Sequence, residues 1–327
     1  MTGLRWGILA TGGIAHAFTH DLRIAGLDVA AVGSRSADSA ARFAAEFEIP
    51  HVHASYEDLV SDPDVDIVYV STPHPMHAEN AILALEHGKH VLVEKPFALT
   101  GAEAAAVRDA AAERGLLAME AMWTRYLPHM IRIRELLDTG ALGDVRALFA
   151  DHTQRISSDP SHRLNALELG GGALLDLGVY PVSFAWDMLG APVAVTAAAT
   201  LGPTGVDGEV ATILSHASGA LSTSISASHA AGPNTAHIVG TDARIDIDPV
   251  WYNPTSFRLV APDGSVMESY ESEVEGRGMQ YQAIAAEQYV SDGRNDSDIL
   301  PIGETVAIME TLDEIRRQIG LQYPTER

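Results

Sequence analysis

From Leu4 to Glu120 the chain alternates short apolar runs with segments of helical character. The run Leu4-Arg5-Trp6-Gly7-Ile8-Leu9 breaks into the small residues Ala10-Thr11-Gly12-Gly13, and an alanine-rich segment reads as helix from Gly13 to Ala25. Asp28–Ser34 reads as a buried strand, Ala37–Phe47 as helix, and Tyr56–Val60 as a short helix after Ser55, with Asp58 three residues on as its cap. Asp66–Ser71 and His90–Glu94 are further strands with a helix, Met76–His87, between them. Thr100 and Glu103 form a capping box for a helix running to Arg114, and Leu116–Glu120 is the next strand. Strands that are apolar almost throughout, each followed by a helix, predict a parallel sheet covered on both faces: a doubly wound α/β domain.

The pattern changes after Met122. A helix, Pro128–Asp138, precedes a strand at Val145–Asp151, and a long irregular stretch runs through Ser157-Ser158-Asp159-Pro160 to the triplet Gly170-Gly171-Gly172. Helix follows from Leu174 to Leu189. Strands are then expected at Val195–Thr200, Val210–Ser215, Ala220–Ala227, Ala236–Val239, Ala243–Ile247 and Phe257–Val260, punctuated by Gly-Pro, Asp-Gly and Ser-Gly turns. Two helices, Met279–Val290 and Gly303–Ile319, close the chain. The expectation is a doubly wound α/β domain over 1–122 and, over 123–327, an α+β domain with a mostly antiparallel sheet.

The opening turn matches G-x-G-x-x-G/A imperfectly: Ala10 takes the first glycine position, Gly12 the second and Ala15 the third, with Thr11, Gly13 and Ile14 between. Small residues there let the backbone approach a pyrophosphate, and the helix N-terminus presents free N–H groups to it. An ordinary strand-to-helix turn has similar residues, so the motif needs support from elsewhere in the chain. About twenty residues on, where NAD-binding sites hold an acidic side chain for the ribose hydroxyls, stand Ser34 and Arg35. A serine and an arginine suit a 2′-phosphate instead, which favours NADP, with NAD as the alternative.

Composition narrows the partners. Twenty-one basic against 44 acidic side chains give a net charge of −23, a field that repels nucleic acid and anionic membranes. There is no cysteine, which removes disulfides and thiolate chemistry and is compatible with a reducing cytoplasm. No apolar run approaches a membrane span and no signal segment precedes the first strand, so a soluble, cytoplasmic protein is expected. His16 and His20 have helical i, i+4 spacing but no third ligand in evidence, and no metal is expected.

Three unusual clusters fall at successive strand ends, where a doubly wound sheet binds its ligand: Thr72-Pro73-His74-Pro75-Met76-His77, Glu94-Lys95-Pro96, and Glu120-Ala121-Met122-Trp123-Thr124-Arg125. Lys95 at the sheet mouth would stand near an oxidised nicotinamide, whose charge lowers the lysine pKa, or would orient a substrate oxygen.

The segments WGILATGGIA, E-K-P, EAMWTRYLP and GGGALLDLGVYP resemble the Gfo/Idh/MocA family of oxidoreductases, and most of all its branch of dimeric dihydrodiol and NADP-dependent D-xylose dehydrogenases. The resemblance extends through Gly278-Met279-Gln280-Tyr281 to Asp313–Gly320. It implies NADP-linked hydride transfer at a hydroxyl or carbonyl carbon of a sugar, polyol or trans-dihydrodiol. It also implies a dinucleotide-binding Rossmann domain over 1–122, and over 123–327 a substrate-binding and oligomerisation α+β domain that dimerises through a large, mostly antiparallel open sheet. By motif it makes Lys95, Asp176 and Tyr180 the catalytic residues; many members carry histidine where Tyr180 stands. It also implies that His74 and His77 lie by the nicotinamide, that Trp123 and Arg125 close over the cofactor, and that Arg163 and Gln280 reach the substrate. Asp176 and Tyr180, four apart on a helix, would share a face. Free tyrosine titrates near ~10, so a tyrosine base at neutrality needs a shift of about 3 units, which a lysine and an oxidised nicotinamide could supply together. Two other readings compete: a glycosidase of the same family that retains its nicotinamide, and a non-catalytic cofactor or sugar sensor. A sensor would be free to lose the lysine and the tyrosine, and both are present.

Overall fold

The strongest apolar runs become one parallel sheet. In the computed structural model, which describes residues 3–156 and 159–324, the strands are β1 (Arg5–Leu9), β2 (Asp28–Gly33), β3 (His51–His53), β4 (Ile67–Val70), β5 (His90–Glu94) and β6 (Ala118–Ala121). They lie in the order β3-β2-β1-β4-β5-β6, all parallel. Residues 67–70 are completely buried, because helices cover both faces. Strand order reverses between β1 and β4, so a crevice opens beyond their carboxyl ends. β3 was not expected from the sequence: it is three residues long and two of them are histidine.

The connecting helices are α1 (Gly13–Ile24), α2 (Ala37–Phe47), α3 (Tyr56–Val60), α4 (His77–Glu86) and α5 (Gly101–Arg114). Three begin on hydroxyl caps. Ser36 accepts from the Ser39 N–H, Ser55 from the Asp58 N–H and Thr100 from the Glu103 N–H. Asp58 therefore contributes its backbone donor while Ser55 does the capping. Glu103 reaches back to the Leu99 N–H at 2.9 Å, one residue earlier than a standard capping box.

The second sheet follows α6 (Pro128–Asp138). Its strands are β7 (Val145–Thr153), then, after α7 (Val179–Leu189), β8 (Pro192–Leu201), β9 (Asp207–His216), β10 (Leu221–Ala227), β11 (Ala236–Gly240), β12 (Arg244–Ile247), β13 (Phe257–Val260) and β14 (Val266–Tyr270). The order is β14-β13-β12-β11-β7-β10-β9-β8. Only the β7–β10 pair is parallel. Leu148, Leu214, Ile238 and Ile245 are buried on one face of this sheet. On the other, Phe149, Ile213, Leu221 and Ile225 are 45–49% exposed, and Ile213, Thr223 and Phe149 stand in register across three strands. Ser157 and Ser158, in the long irregular stretch, lie outside the described residues.

The chain divides into two compact units, changing unit after Trp123, after Val274 and after Met309. The first of these changes lies one residue beyond position 122. Residues 275–309, with α8 (Gln280–Ser291) and the start of α9 (Ile302–Ile319), pack with the Rossmann sheet. Asp21 of α1 is wholly buried and accepts from the backbone N–H groups of Arg277 and Met279 at 3.0 and 2.9 Å. The Trp6 indole donates to Glu287 at 2.9 Å.

One buried imidazole ties the strand ends of the first unit together. His77, 1% exposed at the start of α4, places Nδ1 2.8 Å from the Pro96 carbonyl and Nε2 2.7 Å from the Thr72 carbonyl. It thereby links the chain leaving β4 to the chain leaving β5. Burial pushes its pKa below the ordinary imidazole value, against the two carbonyls that raise it, and Lys95 lowers it further. Its folded pKa lies below its unfolded one, so its contribution to stability is present above pH ~6.5 and is lost as pH falls through the folded value. Denaturant titrations should therefore show His77→Gln less stable than wild type near neutrality, with the gap narrowing as pH is lowered below ~6.5. A gap that is constant with pH would contradict this assignment.

Candidate functional site

At the end of β1 the chain turns on Ala10, whose φ is +83°, a backbone conformation that glycine adopts far more readily. Here the imperfect motif acquires a structural meaning: alanine occupies the left-handed position, at a strain of order 1–3 kcal/mol, while the Ala10 N–H donates to the Gly33 carbonyl at 2.9 Å. Gly12 stands at the N-cap of α1 with no side-chain cap, and the first turn carries no acidic residue. A Cβ added at Gly12 or Gly13 would meet nothing within 4 Å. An uncapped helix N-terminus facing open space is an anion site, and these residues fit a dinucleotide pyrophosphate. Thr11 and Ile14 are half-buried and Ala15 is in the core.

Ser34 and Arg35 follow β2. Ser34 is buried and accepts from the Ser36 N–H at 3.2 Å; Arg35 is exposed. Arg35 lines a cleft of about 650 Å³ together with Ser55, Tyr56, Met76, Asn80 and Leu83; Glu57, Glu79 and Glu86 add negative charge to its walls.

The β4 and β5 ends bring Thr72, Pro73, His74, His77, Glu94 and Lys95 to the same edge of the Rossmann sheet. Thr72, His74 and Glu94 are buried, and the His74 and His77 rings lie 5.7 Å apart. Glu94 accepts from the Tyr69 hydroxyl at 2.5 Å and from the Lys95 N–H at 3.2 Å. Burial pushes the Glu94 carboxyl up, while the Lys95 charge and the Tyr69 hydrogen bond pull it back. Lys95 itself is half-buried, and its charge acts on both the Glu94 carboxyl group and His77. Trp123 is buried, with the Arg277 guanidinium 5.6 Å from its ring centre. Gln280, at the start of α8, is buried in this unit and donates to the Glu275 carbonyl at 2.9 Å.

In the second unit, Asp176 and Tyr180 are both buried. The expected uninterrupted α-helix is not what carries them: Leu174–Gly178 forms a π-helical turn that leads into α7. Pro181 has no N–H with which to bond the Leu177 carbonyl four residues back, and that carbonyl instead accepts from His152 Nδ1 at 3.1 Å. With its proton on Nδ1, His152 presents Nε2 as an acceptor to the Gln154 amide at 2.9 Å. The His152 ring stacks on Tyr252 at 3.8 Å and meets Tyr180 edge-on at 4.9 Å; Tyr180 and Tyr252 are 5.4 Å apart. Arg163 donates to Asp176 at 3.2 Å. His152, Gln154 and Tyr252 did not stand out in the sequence, although the polar end of β7 and Pro181 were the signals available.

Arg125 does not share this surface. It is 2% exposed, donates to the Ser183 hydroxyl and carbonyl at 2.9 and 2.7 Å, and pairs with Asp187 at 3.8 Å. These contacts hold its guanidinium against α7. Among the described residues, His51, Asp62 and Asp64 are grouped closely enough to hold a metal ion. His51 and His53 both reach the same Asp62 oxygen at 2.8 Å, and Arg5 pairs with Asp64 at 2.5 Å. Burial opposes ionisation of Asp62, but the Asp64 N–H and the two imidazoles hold its pKa down at about 2.

Residues 4–122 match the oxidoreductase family with an NAD-binding Rossmann fold, and residues 130–246 match the GFO/IDH/MocA C-terminal domain. The chain is 34% identical to trans-1,2-dihydrobenzene-1,2-diol dehydrogenase of Mus musculus, over 99% of each chain. It is 36% identical to D-xylose 1-dehydrogenase (NADP(+)) of Hypocrea jecorina, over 98% of this chain and 93% of that one. Among solved structures, the aldose–aldose oxidoreductase of Caulobacter crescentus superposes with a TM-score of 0.87 at 27% identity, covering 97% of both chains. A 3-ketoreductase of Actinomadura kijaniata, solved with NADP, superposes with a TM-score of 0.86 at 27% identity, over 97% of this chain and 98% of that one. With both sheets, the open pyrophosphate turn and full-length relatives in agreement, the chain belongs to the Gfo/Idh/MocA family of oxidoreductases.

Proposed function

We propose that this protein is an NADP-dependent dehydrogenase or reductase acting on a CH–OH carbon of a sugar, polyol or trans-dihydrodiol. The observation that carries the reading is the open, uncapped N-terminus of α1 beneath Gly12 and Gly13. Residues 10–15 hold the pyrophosphate, Ser34 and Arg35 the 2′-phosphate, and the cleft beside Arg35 takes the adenosine end. Thr72, Pro73, His74, His77, Glu94 and Trp123 flank the nicotinamide end, and the segments 1–122 and 123–327 supply cofactor and substrate functions respectively. When bound, the nicotinamide accepts or returns a hydride at one ring carbon. Oxidation of CH–OH to C=O also releases the hydroxyl proton, which passes to Tyr180 or Lys95. Asp176 fixes the position of that hydroxyl, with Arg163 and Gln280 as further substrate contacts. Among the described residues no helix is long and apolar enough to cross a membrane, and the cytoplasm is the compartment we propose.

Turnover across an aldose, polyol and trans-diol panel, read by reduced-cofactor absorbance with NADP and NAD in parallel, tests the reading. Lys95→Met and Tyr180→Phe should each lower kcat by roughly a hundredfold or more while leaving NADP binding intact. Full turnover in either variant removes that residue from the mechanism.

Arg35→Asp should reduce kcat/KM for NADP about ten- to a hundredfold, the worth of a charge-assisted bond to phosphate, and leave NAD use equal or better. Unchanged NADP preference would move 2′-phosphate recognition elsewhere.

We further propose that the half-exposed apolar row of the second sheet packs against a second copy of the chain. Ile213→Glu places a charge within that row, and light scattering should show the mass falling to that of one chain. A wild-type mass already equal to one chain would exclude the dimer.

A further inference from the structure

The turn bearing Asp176 has no cap of its own. Gly170, Gly171, Gly172 and Ala173 precede it, none with a side chain that can accept a hydrogen bond, and the Ala173 N-cap position is accordingly empty of side-chain bonds. The missing acceptor comes from the first residue of β9. Asp207 Oδ2 accepts from the Leu174 N–H at 2.6 Å. We propose that Asp207 is a positioning residue for the reaction: its carboxyl group caps this turn from across the sheet and so sets where Asp176 and Tyr180 stand.

Three further observations bear on this. Gly172 has φ +126°, and a Cβ there would fall 2.0 Å from Asp207 Oδ1, so the carboxyl group lies directly against the glycine backbone. Gly171 is equally enclosed: a Cβ would come within 2.7–2.8 Å of the carbonyl oxygens of Leu164, Ala166 and Arg163. The Gly171 carbonyl in turn accepts from the Tyr323 hydroxyl at 2.8 Å, and the Arg316 guanidinium lies 5.1 Å from the Tyr323 ring centre. The glycine triplet is thus a seat for a carboxyl group as much as a turn. Asp207 is completely buried and Oδ1 has no hydrogen-bond partner. Burial pushes its pKa up to about 7, against the N–H groups and Arg316 that lower it. Keeping an acid in such a place is costly, and the cap is the interaction that it supplies.

The proposal rests on the reading that Tyr180 and Asp176 serve the reaction, and the experiment separates the two. A misplacement of the reacting groups by a fraction of an ångström to an ångström costs up to about a hundredfold. Asp207→Ala should therefore lower kcat roughly ten- to a hundredfold with the KM for NADP unchanged, whereas Asp207→Asn, which keeps an acceptor oxygen, should stay within about threefold of wild type. Asp207→Glu keeps the acid but displaces it by one methylene, and should lose kcat as the alanine variant does; it decides the matter if Asp207→Ala does not fold. Wild-type kcat in a folded Asp207→Ala or Asp207→Glu protein overturns the proposal, as does an asparagine variant as impaired as the alanine one. Amide exchange over residues 173–177 is read in parallel, and should accelerate in Asp207→Ala or Asp207→Glu but not in Asp207→Asn. If wild type oxidises no substrate on the panel, or Tyr180→Phe is fully active, the reading fails while the exchange result still tests the cap; unchanged exchange overturns it.

Discussion

A helix leaves its first N–H groups without partners, and this chain meets that constraint in two opposite ways. At α1 nothing in the protein caps the turn: glycine holds the N-cap position, and no carboxylate shares the first turn. The positive end of the helix remains available to a phosphate. At the π-turn before α7 the donors are consumed internally, by a buried carboxyl group contributed 33 residues later. The first arrangement serves a group that comes and goes; the second serves side chains that must stay where they are.

Imidazoles perform a related task at carbonyl oxygens. His77 spans the carbonyls of Thr72 and Pro96, and His152 takes the Leu177 carbonyl that Pro181 leaves without a donor. In both places the ring sits immediately beside a residue with a proposed chemical role, Lys95 in one unit and Tyr180 in the other. His77 is held by backbone on both ring nitrogens, which fixes the loops around it.

Much of the fold could be read from the sequence because its information is local. Residues 67–70 are buried on both faces, and their apolar run announces a parallel strand. Ser36, Ser55 and Thr100 announce helix starts because a cap and its donor are three residues apart. β3 and β14 were missed because neither carries an apolar run; neighbouring strands supply their order. The π-turn was missed because its residues, Leu174–Gly178, carry the same apolar pattern as an ordinary helix. Asp207 and His152 were beyond reach for another reason: each acts on a backbone group more than twenty positions away, and no local pattern marks such a partner.

The buried carboxylate of Asp21 has a consequence for how the protein is made. Its donors, the backbone of Arg277 and Met279, lie 256 and 258 residues downstream. Trp6 likewise finds Glu287 only near the far end of the chain. As the polypeptide leaves the ribosome, the nucleotide-binding half is synthesised first yet cannot close until nearly everything else has emerged. The second sheet is in effect an insertion within the first unit, and its strands can pair while that unit still waits for its last two helices. The cofactor half therefore closes late, although its opening strand is made long before its closing helices.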